Sequence, residues 1–285
     1  MKTLVCVKAG FSSLELQPSG NGAGRPSGFL MTNQADECAI ALAASLQSKN
    51  DGDLTLVSVA GSETEEILDF YVGLGADAII RVWDEILTSA DTMIIARVLS
   101  YVAKRVMPEV ILCGDRARGG ESSGLTGPLL AEFLGWPFLG SLVKVERSDE
   151  REITCFRLIE RGDRQIIKVP LPAVLAASPE GQASPYPSYK RIRRARRKFM
   201  DLGALAMPTE EMESLAFAAG RLFWTTAKPK PRKLFTPPST ASAADRMRMI
   251  MGGGKTRKPQ SNLIEGAPDE VADQILQFLR QERLI

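Results

Sequence analysis

Four short apolar runs rich in β-branched residues, 3–8 (TLVCVK), 53–60 (DLTLVSVA), 78–83 (AIIRVW) and 109–113 (EVILC), alternate with stretches whose apolar residues recur near every 3.6 positions. Runs that are apolar on both faces read as buried strands, and the intervening spacing predicts helices over Asp36–Ser48, Glu63–Gly73 and Asp91–Val106. Repeated strand–helix–strand order with right-handed crossovers allows one economical solution, a doubly wound, mostly parallel sheet with helices on both faces. Local signals agree: Asn33 or Thr32 can cap the first helix, Ser62 opens SETEE with acids in a first turn, and Ser89 or Asp91 can start the third. Ligands of such sheets gather at the carboxyl ends of the strands. The loops after the first, second and fourth runs therefore meet at one edge, where a nucleotide would touch Cys6, Asn33 to Glu37, Val59 to Ser62 and residues 114–127.

The fourth run leads into VILCGDRARGGESSGLTGPLLAEFLGWP, residues 110–137, an apolar strand followed by glycines and hydroxyls and then an amphipathic helix. Unpaired backbone N–H groups in such a loop, together with the positive end of the helix dipole, form an anion site. Gly114, Gly119, Gly120, Gly124 and Gly127 permit close backbone approach, and Ser122, Ser123 and Thr126 add hydroxyl donors. The stretch matches neither a P-loop nor GxGxxG, so a flexible strand-to-helix connection stays open as the plainer reading.

Histidine is absent from all 285 residues. This removes Ser-His-Asp and Cys-His nucleophile systems and His-ligated zinc, and leaves chemistry carried by a bound cofactor. The four cysteines, at 6, 38, 113 and 155, lack the spacing of a zinc site or a disulfide framework, and Cys6 and Cys113 read as core thiols. Trp83 and Trp136 also read as core. Asp36 and Glu37, adjacent on a helix, diverge too far to act on one atom and read as capping groups. No apolar run approaches a membrane span of about 20 residues. The start MKTLVCVKAG does not resemble a signal peptide, so the expected location is the cytoplasm.

From Leu139 to Ala177 the pattern turns to VKVE, ITCFRLIE and RQIIKVPLPAVLAA, strands that suit an antiparallel extension of the sheet, with Pro170 and Pro172 at strand ends or an edge. Lys190 to Lys198 then carries seven basic residues in nine, in a chain with 36 basic and 34 acidic residues. Such a run is a solvated helix face, an electrostatic guide for an acidic partner, or a nucleic-acid site. The last is disfavoured by an aromatic content of 6%, and Tyr186 and Tyr189 nearby suit the second. Residues 201–262 are irregular, whereas Asp269–Gln281 is an amphipathic helix after Ala267-Pro268. The expected organisation is an α/β domain over 1–200 and, over 201–285, an extended arm ending in a helix that packs on a partner.

The order of these motifs resembles the beta subunit of electron-transfer flavoproteins. The matching pieces are LVCVK, Asn33 with Asp36-Glu37-Cys38-Ala39, LVSV at 56–59, GLGADAIIRVWD at 73–84 and GDRARGGESSGLTGPLLAEFLGWP at 114–137, then LPAVLA at 171–176, SPYPSYKRIRRARRK at 184–198 and the closing helix ending Leu284-Ile285. The resemblance implies an electron-carrier subunit rather than a self-contained enzyme. Its partner would be an alpha subunit holding most contacts to a redox FAD, and electrons would pass from flavoprotein dehydrogenases toward a quinone reductase. It further implies an adenine nucleotide in this subunit, AMP by slight preference or a second FAD as in bifurcating relatives. Position by position, the pocket would comprise Cys6, Asn33, Asp36, Glu37, Val59, Gly114, Ser122, Ser123, Thr126 and Gly127, with Gly120 in the same loop. Tyr189 falls where the family's dehydrogenase-docking loop places an apolar anchor, and Tyr186, Ile192, Arg193, Arg194 and Arg197 accompany it. The competing expectations are a non-redox adenine-nucleotide sensor and an ATP-hydrolysing α/β domain.

Overall fold

The computed structural model describes residues 1–11, 15–18, 24–27, 29–47, 52–117, 122–147, 149, 151–181, 184–221, 242–251 and 266–281. The chain divides into two compact units, Met1–Thr226 and Ala227–Ile285.

The first unit is built on one sheet of nine strands: β1 (Lys2–Cys6), β2 (Asp53–Val59), β3 (Ala78–Val82), β4 (Val110–Gly114), β5 (Phe138–Arg147), β6 (Glu152–Leu158), β7 (Arg164–Pro170), β8 (Ala173–Ala177) and β9 (Arg196–Met200). Their order across the sheet is β7-β6-β5-β8-β4-β1-β2-β3-β9. All neighbours from β5 to β9 in that order run parallel, while β6 is antiparallel to both β5 and β7. Two antiparallel pairs, Gly10–Phe11 with Leu30–Met31 and Glu15–Pro18 with Gly24–Ser27, follow β1.

The two-sided apolar pattern becomes two cores. Val5, Leu54, Leu56, Val110 and Leu112 face helices α1 (Gln34–Gln47) and α2 (Glu65–Gly73), with Leu42, Leu68 and Tyr71 packed on them. The alternate residues Leu4, Val57, Ile111 and Cys113 face α3 (Thr92–Val106) and α4 (Thr126–Leu134), with Val98, Val102 and Leu130. Side-chain alternation with period two therefore feeds both layers from the same strands.

Helix boundaries fall within two residues of those read from the sequence. Asp91 is the cap of α3, its carboxylate accepting from Ile94 N–H at 2.9 Å. Ser62 instead opens a short 3-10 turn, Ser62–Thr64, that precedes α2. Gly135 ends α4 in the left-handed region (φ 68°), its N–H returning to the Ala131 and Glu132 carbonyls.

The run RQIIKVPLPAVLAA is two strands, not one. β7 ends at Pro170 on the outer edge, and the chain turns through Leu171-Pro172 before β8 enters the sheet between β4 and β5 as a parallel strand. Each residue of β8 is buried, which explains why AVLAA has no polar position. Helix α5 (Tyr189–Arg194) leads into β9, and α6 (Thr209–Gly220) is tied to α3 by Glu211, whose carboxylate pairs with Arg97 and accepts from Tyr101.

The second unit holds α7 (Ala243–Met251) and α8 (Pro268–Gln281). On α8, Ile275, Leu276 and Phe278 are exposed. Residues 222–241, 252–265 and 282–285, with Leu284-Ile285 among them, lie outside the described residues. No described helix is long and apolar enough to cross a membrane.

Candidate functional site

Strand order reverses at β1: the chain moves outward through β2 and β3, then crosses back to lay β4 on the other side of β1. Connections leaving β1 and β4 diverge there, and a crevice opens outside their carboxyl ends. It holds a cleft of about 550 Å3. Of the expected residues, Cys6, Asp36, Val59, Gly114, Ser122, Ser123 and Thr126 line it. The loop after β3 lines it too, through Trp83, Leu87, Thr88 and residues 89–92, and so does Ile95 of α3. Sequence reasoning missed this fourth loop, yet parallelism requires it, because every parallel strand delivers its carboxyl end to the same edge. Trp83 accordingly lies half-buried in the cleft wall rather than wholly inside the core.

Asp36 organises the floor. It sits in the first turn of α1, buried, with Oδ2 accepting from Lys8 N–H at 2.9 Å and Oδ1 from Gly114 N–H at 3.2 Å. One carboxylate thus joins the loop after β1 to the end of β4, so its role is cross-linking rather than capping its own helix. Burial lifts its pKa to about 7, against the pull of those two N–H donors, Asn33 and Lys8. A Cβ at position 114 would stand 2.5 Å from Asp36 Oδ1 and 2.8 Å from Ala35 Cβ, so glycine is what lets α1 approach β4.

Asn33 stands behind the cleft wall. Its N–H donates to the hydroxyl of Tyr71 at 2.6 Å, its Nδ2 donates to the Arg116 carbonyl at 3.2 Å, and the Tyr71 hydroxyl donates onward to the Lys8 carbonyl at 3.1 Å. Tyr71, fully buried on α2, was not singled out from sequence, since a tyrosine in an apolar stripe carries no sign of which backbone groups its hydroxyl will meet. Glu37, half-buried on α1, does not line the cleft.

In the glycine-rich loop, Gly120 lies outside the described residues, as do Gly119 and Glu121. Ser122 donates to the Ala117 carbonyl at 2.8 Å, Ser123 and Thr92 hydroxyls meet at 3.5 Å, and Gly124 takes φ +69°, where a Cβ would also press on the Asp115 carbonyl. Gly127 is required for packing: a Cβ there would come within 2.7 Å of the Phe138 ring and 3.0 Å of Cys113 Sγ. The donor set suits a nucleotide. Trp83, Leu87 and Ile95 supply an apolar wall, while the start of α4 at Thr126 and the cations Lys8 and Arg116 supply an anion-attracting rim.

The basic run lies at the other end of the strands. Ser188 N–H donates to the Gly73 carbonyl at 2.8 Å and Arg196 N–H to the Asp77 carbonyl at 3.0 Å, which straps α5 across the turn between α2 and β3 at the amino edge. Three of the run's seven basic residues belong to this strap rather than to one helix face. Arg191 donates to the Gly75 carbonyl at 2.9 Å, Arg196 pairs with Asp53 at 2.7 Å, and Arg197 pairs with Asp69. Ile192 is turned inward, its Cδ1 within 3.3 Å of where a Gly73 Cβ would be. Among the described residues Lys190, Arg193, Arg194 and Lys198 form no ion pair, and beside them Tyr186 and Tyr189 are 97% and 72% exposed.

The family profile described as "Electron transfer flavoprotein domain" matches residues 31–200. Similar proteins named "Electron transfer flavoprotein subunit beta" include one from Bacillus subtilis (strain 168), 30% identical over 254 residues that cover 88% of this chain and 86% of that protein. Another, from Chromohalobacter salexigens, is 28% identical over 227 residues, covering 78% of this chain and 77% of the relative. A third, from Methylophilus methylotrophus, is 23% identical over 287 residues, covering 99% and 98%. With a matching profile over more than half of its length and relatives of one name along nearly all of it, this chain belongs to the electron transfer flavoprotein beta-subunit family.

Proposed function

We propose that this chain is the beta subunit of a cytoplasmic heterodimeric electron-transfer flavoprotein that holds an adenine nucleotide in the cleft at the carboxyl edge and receives flavoprotein dehydrogenases at the amino edge. The observation that carries the reading is the cleft itself: its apolar wall suits a base, and the start of α4 with Lys8 and Arg116 suits phosphate. Asp36 and Tyr71 act as positioning residues, keeping the loops after β1 and β4 in register around the ligand. Redox FAD, held mainly by the alpha subunit, supplies the electron-carrying chemistry when bound. Exposed apolar positions on α8 give the 201–285 arm a face to lay on that subunit.

AMP is the nucleotide we assign to the cleft, in a structural role: strands of five residues hold the edges at least about 13 Å apart, so a group there does not touch a protein seated on Tyr189. Tyr186 and Tyr189 are the anchors for the dehydrogenase, Arg193 and Arg194 its electrostatic guides, and a quinone reductase is the acceptor downstream. Co-expression with an alpha subunit, purification, and mass spectrometry of the small molecules released by denaturation test this. A yellow heterodimer releasing one FAD and one AMP is expected. Two FADs without AMP would overturn the AMP assignment, and a colourless homodimer that hydrolyses ATP would overturn the whole reading.

A further inference from the structure

We propose that Cys6 and Cys113 form a dithiol pair on the floor of the cleft that closes to an intrachain disulfide. The inference stands whatever the cleft binds. Strands β1 and β4 are parallel neighbours with Val5 opposite Leu112, so the next residue along each places Cys6 beside Cys113. Neighbouring strands lie about 4.8 Å apart, within the Cα separations of about 4.4–6.8 Å that disulfides span. Both side chains point to the same face, in the core under α3 and α4, and both line the cleft, which gives a small oxidant a path to them. Cys38 and Cys155 belong to the opposite core and cannot compete for either thiol. Cys113 Sγ lies 3.7 Å from the Leu175 carbonyl of β8, so closure requires it to leave that contact and turn toward β1.

In the closing step one thiol loses its proton and attacks the oxidant, and the second displaces it to form the S–S bond. Two electrons and two protons pass from the cysteines to the oxidant: an azo compound such as diamide becomes the hydrazine, and a small disulfide becomes two thiols. The Cβ atoms must draw in to about 3.8 Å, so the bond is strained and readily reduced, as a reversible modification requires. Burial pushes Cys113 up to about 12, with Asp36 and Asp115 adding to the effect, and burial likewise raises Cys6, with Cys113 and Asp36 adding to it. Because the thiolate is the nucleophile, oxidation is slow at neutral pH and speeds up about tenfold per pH unit while the thiol form dominates.

The test uses the full-length wild-type chain, treated with diamide at pH 7 and pH 8, alkylated under denaturing conditions and mapped by proteolysis and mass spectrometry. The expected product is a peptide pair joined through Cys6 and Cys113, reversed by dithiothreitol, with Cys155 recovered alkylated and the rate about tenfold higher at the upper pH. Recovery of both Cys6 and Cys113 as alkylated thiols, links to Cys38 or Cys155, or links between chains would each overturn the proposal. A rate independent of pH would remove the buried thiolate from the step. Cys6→Ser and Cys113→Ser variants that stay folded should each leave the other thiol free; capture of that thiol by Cys38 or Cys155 would count equally against the pair.

Discussion

The cleft and the basic run are both dense in residues that sequence reasoning selects, but they are held in opposite ways. At the carboxyl edge, Asp36, Asn33 and Tyr71 bind backbone groups of distant segments, and Gly114 and Gly127 fill spaces that admit no side chain. At the amino edge, three arginines are spent on Gly75, Asp53 and Asp69, and the remaining cations are surface charges next to exposed tyrosines. Residue type singles out both regions. Only the contacts separate groups that are bound into the fold from groups that remain at the surface, and each region should therefore answer mutation differently.

Gly114→Val should produce the largest effect, since its branched side chain must displace Asp36 and Ala35. Overpacking of this kind costs about 1–3 kcal/mol or more, read as a lower urea midpoint, whereas Gly220→Val, with nothing near its Cβ, should cost under about 1 kcal/mol. Equal losses would erase the claim that α1 is packed against β4 through a glycine. Asp36→Ala strands the N–H groups of Lys8 and Gly114 and should cost about 1–3 kcal/mol.

Asp36 also sets a pH dependence. Its folded pKa, about 7, lies above the ordinary 3.8, so the native state binds more protons than the unfolded chain between those values. Stability must therefore fall as pH rises from about 4 to about 7 and level off above. Urea titrations of wild type and Asp36→Asn should diverge in that window, and parallel curves would mean that the carboxylate is not buried as described.

Tyr71→Phe removes the partner of Asn33 N–H without changing shape and should cost about 1–2 kcal/mol. Arg197→Ala should cost less than about 1 kcal/mol, because its pair with Asp69 is solvent-screened. Arg193→Glu with Arg194→Glu should leave stability within about 0.5 kcal/mol of wild type yet slow association with a dehydrogenase by about tenfold at low salt, a loss that shrinks as salt rises. A salt-independent loss in stopped-flow electron transfer would show that the free cations also support the fold.

Much of the architecture was legible because it rests on periodicity. Runs apolar on both faces must be covered on both sides, and helices between them must cross over, so a parallel α/β sheet with a cleft at the strand ends follows from residues 3–113 alone. Cys6, Val59 and Gly114 at the cleft were legible for the same reason, being positions where those strands end. The insertion of β8 was not, because five apolar residues fit an edge continuation or a central strand equally well, and only the vacancy between β4 and β5 selects the second.

Local pattern therefore determined which segments are strands, which are helices, and where charge accumulates. Tertiary structure decided that Asp36 joins two strand ends instead of capping a helix, that the loop after β3 completes the cleft, and that Arg191, Arg196 and Arg197 are bound while, among the described residues, Arg193 and Arg194 form no ion pair. The physical reason is separation along the chain. Asp36 meets Gly114 across 78 residues and Arg196 meets Asp53 across 143, and a hydrogen bond between such partners leaves no trace in the spacing of either neighbourhood.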